Sequence, residues 1–477
     1  MRVALLKPPI GGILGLEMLT FVEPLGLLAV AACLERDGHE CRILDLRIDG
    51  FELGLARCRD FAPDVVGIQC NFTTERRRAV ELARRVRALL PRAFLVVGGH
   101  DASRDPDWFA DPALDAVAIG DGEEVMPALV TALAAGRDLE PLPGLRLRGG
   151  AEWITTPPPA HERDLDAYPL PARHLITSYA PHYYINFRRP LALLETARGC
   201  PFHCNFCSVW KFHESSYRQK SPARVVEELA AIAAPNVFVT DDIFWLDVKR
   251  GEELARRIRH AGIRKYFTVQ TRTDIICRFP HLIELWKECG PLSIFLGLEA
   301  IDDRGLASLD KKNSAANNER AIEILKGLGV GFTPNFIVDP AWDHEDFARL
   351  RDWITRMGAY NSGFSILTPL PGTDLWSSAR ERLAVDDWEM FDIVHAVLPT
   401  RLPLEEFYAE YSGLWRHVLE LRYRLRGRTR TWLALAAALA TRQVEWSAVR
   451  KGMNVARVFG RPDTFLAANR RGLAHPA

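Results

Sequence analysis

A chain of 477 residues has room for two or three domains, each with a core of its own. Lysine plus arginine and aspartate plus glutamate both number 61, so no net field draws the chain toward a polyanion and nucleic acid is excluded as a default partner. No uncharged apolar run reaches the roughly 18 residues that span a bilayer, and the opening MRVALLKPPI breaks on Lys7 and Pro8-Pro9 before an apolar signal core could form.

Nine cysteines, odd in number and with three of them between Cys200 and Cys207, do not make a disulfide framework. Clustered thiols in a reducing compartment hold metal more often than each other, and the expected location is the cytoplasm.

The first part of the chain alternates strand and helix. Arg2–Lys7 reads as an apolar strand followed by a Pro/Gly loop from Pro8 to Gly15. Pro24–Asp37 carries Leu27, Leu28, Ala31 and Leu34 on one helical face. Further strands are expected at Glu40–Leu46, Asp64–Cys70, Phe94–Val97 and Asp115–Ile119, with a helix at Thr74–Leu90. The last two strands close on Gly98-Gly99-His100 and on Gly120-Asp121-Gly122-Glu123-Glu124. Continuous apolar strands between amphipathic helices mean a parallel sheet covered on both faces, with ligands at the carboxyl ends of its strands.

Residues 1–140 form the first expected domain, and the proline- and aromatic-rich stretch 141–190 a packed linker. From Leu191 the alternation restarts, with strands at Leu191–Thr196, Val237–Thr240, Phe267–Gln270, Ser293–Leu298, Phe332–Val338 and Gly363–Leu367. Ser221-Pro222 opens one of the intervening helices, serine capping and proline fitting the first turn. Six βα units over 191–385 predict a partial (βα)6 barrel with its chemistry at the C-terminal mouth of the strands. A helical region, 386–477, completes the chain.

Directly after the first barrel strand stands Arg198-Gly199-Cys200-Pro201-Phe202-His203-Cys204-Asn205-Phe206-Cys207. Three thiolates on one short loop can ligate three irons of a cubane and leave the fourth open, whereas an electron carrier closes its cluster with four. Other readings are a zinc site completed by His203 or His213, or three unrelated buried thiols, although structural zinc usually pairs two C-x2-C knuckles.

The C-x3-C-x-aromatic-C pattern of Cys200, Cys204, Phe206 and Cys207 resembles the radical S-adenosylmethionine (SAM) superfamily. The resemblance implies a [4Fe–4S] cluster on the three cysteines, SAM on the open iron, and Phe206 near the adenine. It also implies a deoxyadenosyl radical that abstracts hydrogen from an unactivated carbon. Asp241, Asp242, Gln270, Arg272 and Glu299, at the ends of the next strands, take the places of SAM-binding residues. Asp241-Asp242 could equally cap a helix.

The first domain resembles the cobalamin-binding domain that precedes many radical SAM domains, a Rossmann/flavodoxin-like sheet. Gly98, Gly99, His100, Gly120, Gly122 and Glu123 are its implied cofactor-binding residues. A flavodoxin-like module with no ligand, or with a nucleotide, fits the periodicity equally well. Asp45-Leu46-Arg47 has arginine where the Asp-x-His motif has its cobalt ligand, so no lower ligand is assignable and base-off cobalamin is expected. His100 is either a contact or a helix-capping turn residue.

The segments Ser208–His213 and Tyr217–Pro222, with Phe336–Trp342 and Leu367–Thr373, look closest to the hopanoid C-3 methylases. That implies methylation of a polycyclic lipid through methylcobalamin, with electrons from a flavodoxin or ferredoxin. Anaerobic ring cyclases of the Mg-protoporphyrin monomethyl ester type are the nearest alternative, and a non-catalytic cobalamin sensor with a structural cluster is the alternative of another class. Trp210, Tyr217 and Trp342 are candidates for substrate positioning. Six arginines from Arg416 to Arg430, then the apolar stretch Trp432–Ala440, suit either peripheral contact with the inner face of the membrane or packing on the barrel.

Overall fold

Strand Arg2–Lys7 (β1) lies inside a seven-stranded sheet completed by Glu40–Asp45 (β2), Val65–Gln69 (β3), Phe94–Gly98 (β4), Ala116–Ala118 (β5), Leu145–Gly149 (β6) and Glu152–Thr155 (β7), in the order β2-β1-β3-β4-β5-β6-β7. The computed structural model describes residues 1–10, 20–150, 152–159, 161–186, 188–426 and 458–472. The first five strands are parallel and the last two antiparallel. β1 and β3 are buried throughout or nearly so, which is why they read as unbroken apolar runs. Helices Leu25–Arg36 and Gly122–Ala134 cover one face, and Leu46–Phe61 and Arg76–Leu89 the other. The strand order reverses between β1 and β3, the switch point at which open α/β sheets bind ligands.

The sheet extends past residue 140, because the expected linker opens with β6 and β7. These short strands alternate half-heartedly and carry Arg146 and Arg148, which a periodicity search reads as loop. The rest of the linker is a chain of single turns whose Tyr179, Tyr183, Tyr184 and Ile185 join an apolar cluster running from the sheet to Leu191 and Leu193 of the next strand.

That strand, Leu191–Leu194 (β8), begins a six-stranded parallel sheet continued by Asn236–Val239 (β9), Tyr266–Thr271 (β10), Leu292–Glu299 (β11), Gly331–Val338 (β12) and Gly363–Ile366 (β13), paired in chain order. Along β11 every second residue, Leu292 to Leu298, is buried under the helices, while Ser293, Phe295, Gly297 and Glu299 are half-buried on the opposite, inner face. The six units expected from the βα spacing are present, and the sheet is an open half-barrel.

Asp386–Arg401 is a 3-10 turn and loop rather than helix, and helix Leu404–Arg426 follows. Val418 and Leu421 are buried in the barrel's helical layer, Arg416 donates to the Gly460 carbonyl and Arg422 to Asn361. This part of the basic stretch therefore packs on the barrel through Val418 and Leu421. Trp432–Ala440 lies outside the described residues. Among the described residues no helix is long and apolar enough to cross a membrane.

Candidate active site

The cysteine loop leaves β8 through Glu195–Arg198 and is pinned from several sides. Ala197–Arg198 pairs with Arg218–Gln219. The Asn205 amide donates to Leu309 O, its side chain to Ser308 O, and its own carbonyl accepts from Leu375 N at 2.9 Å. Trp210 Nε1 donates to Cys204 O at 3.1 Å. Gly199 has φ +89°, and a Cβ there would lie 2.2 Å from Ser216 O, so only glycine allows the turn into Cys200.

The donor set suits a cluster. Cys200, Cys204 and Cys207 are free thiols, none in a disulfide. Burial pushes the Cys200 thiol up to about 11 and the Cys207 thiol up to about 12. Burial also raises Cys204, against the charges of Lys311 and Arg272, which favour its thiolate. Among the described residues no three His, Cys, Asp or Glu groups converge on a single ion. His203 bonds Ser215, and His213 bonds Arg218.

The ends of the next strands surround this loop. Asp241 is 1 % exposed, and its carboxylate accepts from both Thr196 N and Thr196 Oγ1, tying β9 to β8. That leaves Asp242 to face the loop, where it accepts from the Gly199 amide. Burial, then Asp241 and Glu195, pushes Asp242 up to about 7. Gln270 Nε2 donates to Asp241 O at 2.9 Å. Arg272 stacks over Phe202 at 3.7 Å and pairs with Asp274 at 2.9 Å. Glu299 ends β11 at φ +63°, a strained conformation for a non-glycine residue, and accepts from Lys311 Nζ at 2.7 Å. Lys311 also donates to Gly297 O. Phe206 is half-buried between Cys204 and Cys207.

The first sheet meets the same mouth. His100, following β4 and Gly98-Gly99, stacks on Phe212 with ring centroids 4.6 Å apart, and its Nε2 is 2.7 Å from Ser208 Oγ. Burial, then the Arg104 charge, lowers His100 to about 4, so it is neutral near pH 7. Gly120 and Gly122 pack against Pro159 and Val30, and Glu123 pairs with Arg198. Arg218 and His161 bond Asp121. The structure thus brings His100 and Glu123 to the barrel mouth, each bonded to the other half of the molecule. Arg47 is held by Asp45 and Val22 O, which makes the Asp45-Leu46-Arg47 string a helix cap. Trp342 packs edge-on against Phe347, with ring centroids 5.3 Å apart.

A corrin fits the edge of this sheet on two observations: Phe72 stands 62 % exposed beside the β1/β3 switch point, and the buried Nε of Arg104 has no partner. Lys311, Glu195 and the Arg198–Asp121–Arg218 network escaped the sequence reading. Only their nearness in space marks them, and no spacing in the chain encodes it.

Fold and site together define a class: an open three-thiolate loop at the mouth of a half-barrel, faced by a ligand-binding α/β sheet. Residues 11–130 match the B12 binding domain family and residues 194–354 the Radical SAM superfamily. Hopanoid C-3 methylase of Methylococcus capsulatus is 38% identical over 392 residues, 82% of this chain and 75% of that protein. The fold is shared with the cobalamin-dependent SAM radical enzyme OxsB, with aqua-cobalamin and SAM bound, at TM-score 0.69 and 14% identity over 98% of this chain and 80% of that one. It is shared too with the radical SAM methyltransferase TsrM from Kitasatospora setae, with cobalamin and a [4Fe-4S] cluster bound, at TM-score 0.62 and 20% identity over 80% of this chain and 78% of that one. The chain belongs to the cobalamin-dependent radical SAM methyltransferase family that contains hopanoid C-3 methylase. Its cofactors are a [4Fe–4S] cluster, SAM and cobalamin.

Proposed function

We propose that the chain methylates an unactivated ring carbon of a polycyclic lipid, with C-3 of a hopanoid as the target. The observation that carries the reading is the 38% identity, over most of both chains, to an enzyme of that name. When bound, the cofactors supply hydrogen abstraction by a nucleoside radical and a transferable methyl group. The chain supplies placement. Asp242 is positioned to hold an ammonium, Glu299 and Gln270 to accept or donate to ribose hydroxyls, and Arg272 to face a carboxylate.

The inner face of the half-barrel supports an apolar substrate. Phe238 and Phe295, with ring centroids 6.2 Å apart, and Ile337 lie on it half-buried, beside the polar Gln270 and Asn335. Such a wall excludes water from a reactive centre and holds a ring system by area rather than hydrogen bonds. Gly98, Gly99, Gly120 and Gly122 serve the corrin by keeping the loops at the sheet edge compact, since a Cβ on them would meet Ala118, Asn71, Pro159 and Val30. His100 borders it at the domain boundary. The reading places the enzyme in the cytoplasm with a flavodoxin- or ferredoxin-type donor.

The test is an anaerobic incubation of reconstituted enzyme with hopanoid, reductant and SAM carrying a labelled methyl group. Labelled methylhopanoid together with 5′-deoxyadenosine is expected. Deoxyadenosine with oxygen from water in the product, and no label, assigns the ring-cyclase chemistry instead.

A further inference from the structure

Arginines crowd the contact between the two halves of the molecule, and nearly all have a carboxylate. Arg76 pairs with Asp101 and Asp105, Arg77 with Asp387, Arg78 with Glu389, Arg198 with Glu123 and Glu195, and Arg218 with Asp121. Arg104 differs. It ends the short helix after β4, on the ligand-binding edge of the first sheet, and reaches across to donate from Nη2 to the carbonyl of Gly372. Its Nε is buried without a partner, and no acidic side chain pairs with it among the described residues.

Gly372, at φ +79°, lies so close that a Cβ on it would stand 2.4 Å from Arg104 Nε. The guanidinium therefore rests on bare backbone. Burial alone lowers its pKa, with no neighbouring charge offsetting the effect. A guanidinium does not lose its proton in a protein, and on this half-buried side chain, with no acidic partner, the charge favours an anion at its open side.

We propose that Arg104 is the recognition site for an oxyanion of a bound cofactor, and that this oxyanion is the phosphodiester of the cobalamin nucleotide tail. The proposal rests on cobalamin being the ligand of this sheet. It adds the residue that reads the tail, distinct from whatever holds the ring. The phosphodiester is favoured because Arg104 belongs to the sheet that binds the corrin, whose own side chains are neutral amides. The SAM carboxylate is the other singly charged oxyanion within the same site. Nη2 already serves the Gly372 carbonyl and Gly372 covers Nε, so the terminal Nη1 is the donor left to meet either oxyanion.

The experiment compares cobalamin with cobinamide, the same ring without the nucleotide and its phosphate. Full-length protein freed of cobalamin is titrated with each, anaerobically, for wild type, Arg104→Gln and Arg104→Lys. Wild type is expected to prefer cobalamin. Arg104→Gln should weaken cobalamin roughly ten- to hundredfold, the loss of a charged hydrogen-bond pair, and leave cobinamide within about twofold. Arg104→Lys should recover part of the preference. Unchanged cobinamide binding shows that the variant is folded and that corrin binding itself stands. Equal weakening of both ligands would mean that Arg104 merely packs the interface and overturns the proposal. Unchanged cobalamin binding with weakened SAM binding, by equilibrium dialysis, reassigns the oxyanion to the SAM carboxylate and overturns it as well.

Discussion

Gly199 is the point where sequence, backbone and cluster meet most tightly, and substituting alanine there tests the geometry of the loop. The added Cβ would stand 2.2 Å from Ser216 O and 3.1 Å from His213 Cβ. A comfortable carbon–oxygen approach is about 3.3 Å, so something must yield by about 1 Å. The obstacle is backbone, already paired through Ala197–Arg198 with Arg218–Gln219, and cannot rotate away as a side chain would. The φ of +89° adds about 1–2 kcal/mol for any residue with a Cβ. Because the next residue is Cys200, relief comes by shifting the first cluster ligand and the amide that donates to Asp242.

Gly199→Ala should therefore hold iron substoichiometrically after anaerobic reconstitution and form 5′-deoxyadenosine about a hundredfold more slowly, the usual effect of a 1 Å misplacement. Cobalamin binding, which belongs to the other sheet, should be unchanged. Gly262→Ala is the control: its φ is +65°, yet nothing lies within 4 Å of the added Cβ, so it shares the conformational cost without the collision. Full iron and normal turnover in Gly199→Ala, or equal loss in both variants, would refute the steric argument.

Four further outcomes follow from the same contacts. Cys204→Ser should abolish the broad iron–sulfur absorbance and SAM cleavage while leaving cobalamin binding intact, read from metal content and spectra. Lys311→Met strands the Glu299 carboxylate, and SAM affinity should fall about tenfold with cobalamin affinity unmoved; Glu299→Gln with Lys311→Met should cost less than the two losses summed. Asp242 is pushed up to about 7, mainly by burial, so the metal-free chain should lose stability as pH rises from about 4 through 7; Asp242→Asn should flatten that slope and stabilise at pH 8 by about 1–2 kcal/mol in thermal melts. Asp121, buried yet held below the usual carboxylate range by His161, Arg198 and Arg218, should keep the two halves joined at mildly acidic pH; Asp121→Asn should speed proteolysis of the linker near pH 5.

The fold was largely legible because its signals are local. β1 and β3 read as buried strands from unbroken apolar runs, the six barrel strands from the regular return of such runs, and the helix at Pro222 from Ser221, whose hydroxyl accepts the Arg224 amide. The three cysteines stood out as candidate ligands because spacing on a loop is itself a local property. What escaped depends on contacts between residues far apart in sequence. Lys311 sits in an ordinary polar loop and matters only because β11 ends beside it. Arg104 looks like any helix-ending arginine until Gly372 arrives 268 residues later. Asp241 and Asp242 are indistinguishable as a pair in sequence, but the loop leaving β9 turns one into the Thr196 staple and the other toward Gly199. β6 and β7 were missed because these short outer strands, β6 with Arg146 and Arg148, lack the apolar pattern that marks the central ones.

The tyrosine-rich stretch between the two sheets carries a consequence for how such a protein can be inherited. Tyr179, Tyr183, Tyr184 and Ile185 are core for both neighbours at once, and Tyr183 even bonds Asp45 across the boundary. Cut there, each half would expose what the other had shielded. The two parts are thus no longer interchangeable cassettes: a new partner sheet would have to bring a matching seam, and drift on either side of it is answerable to the other.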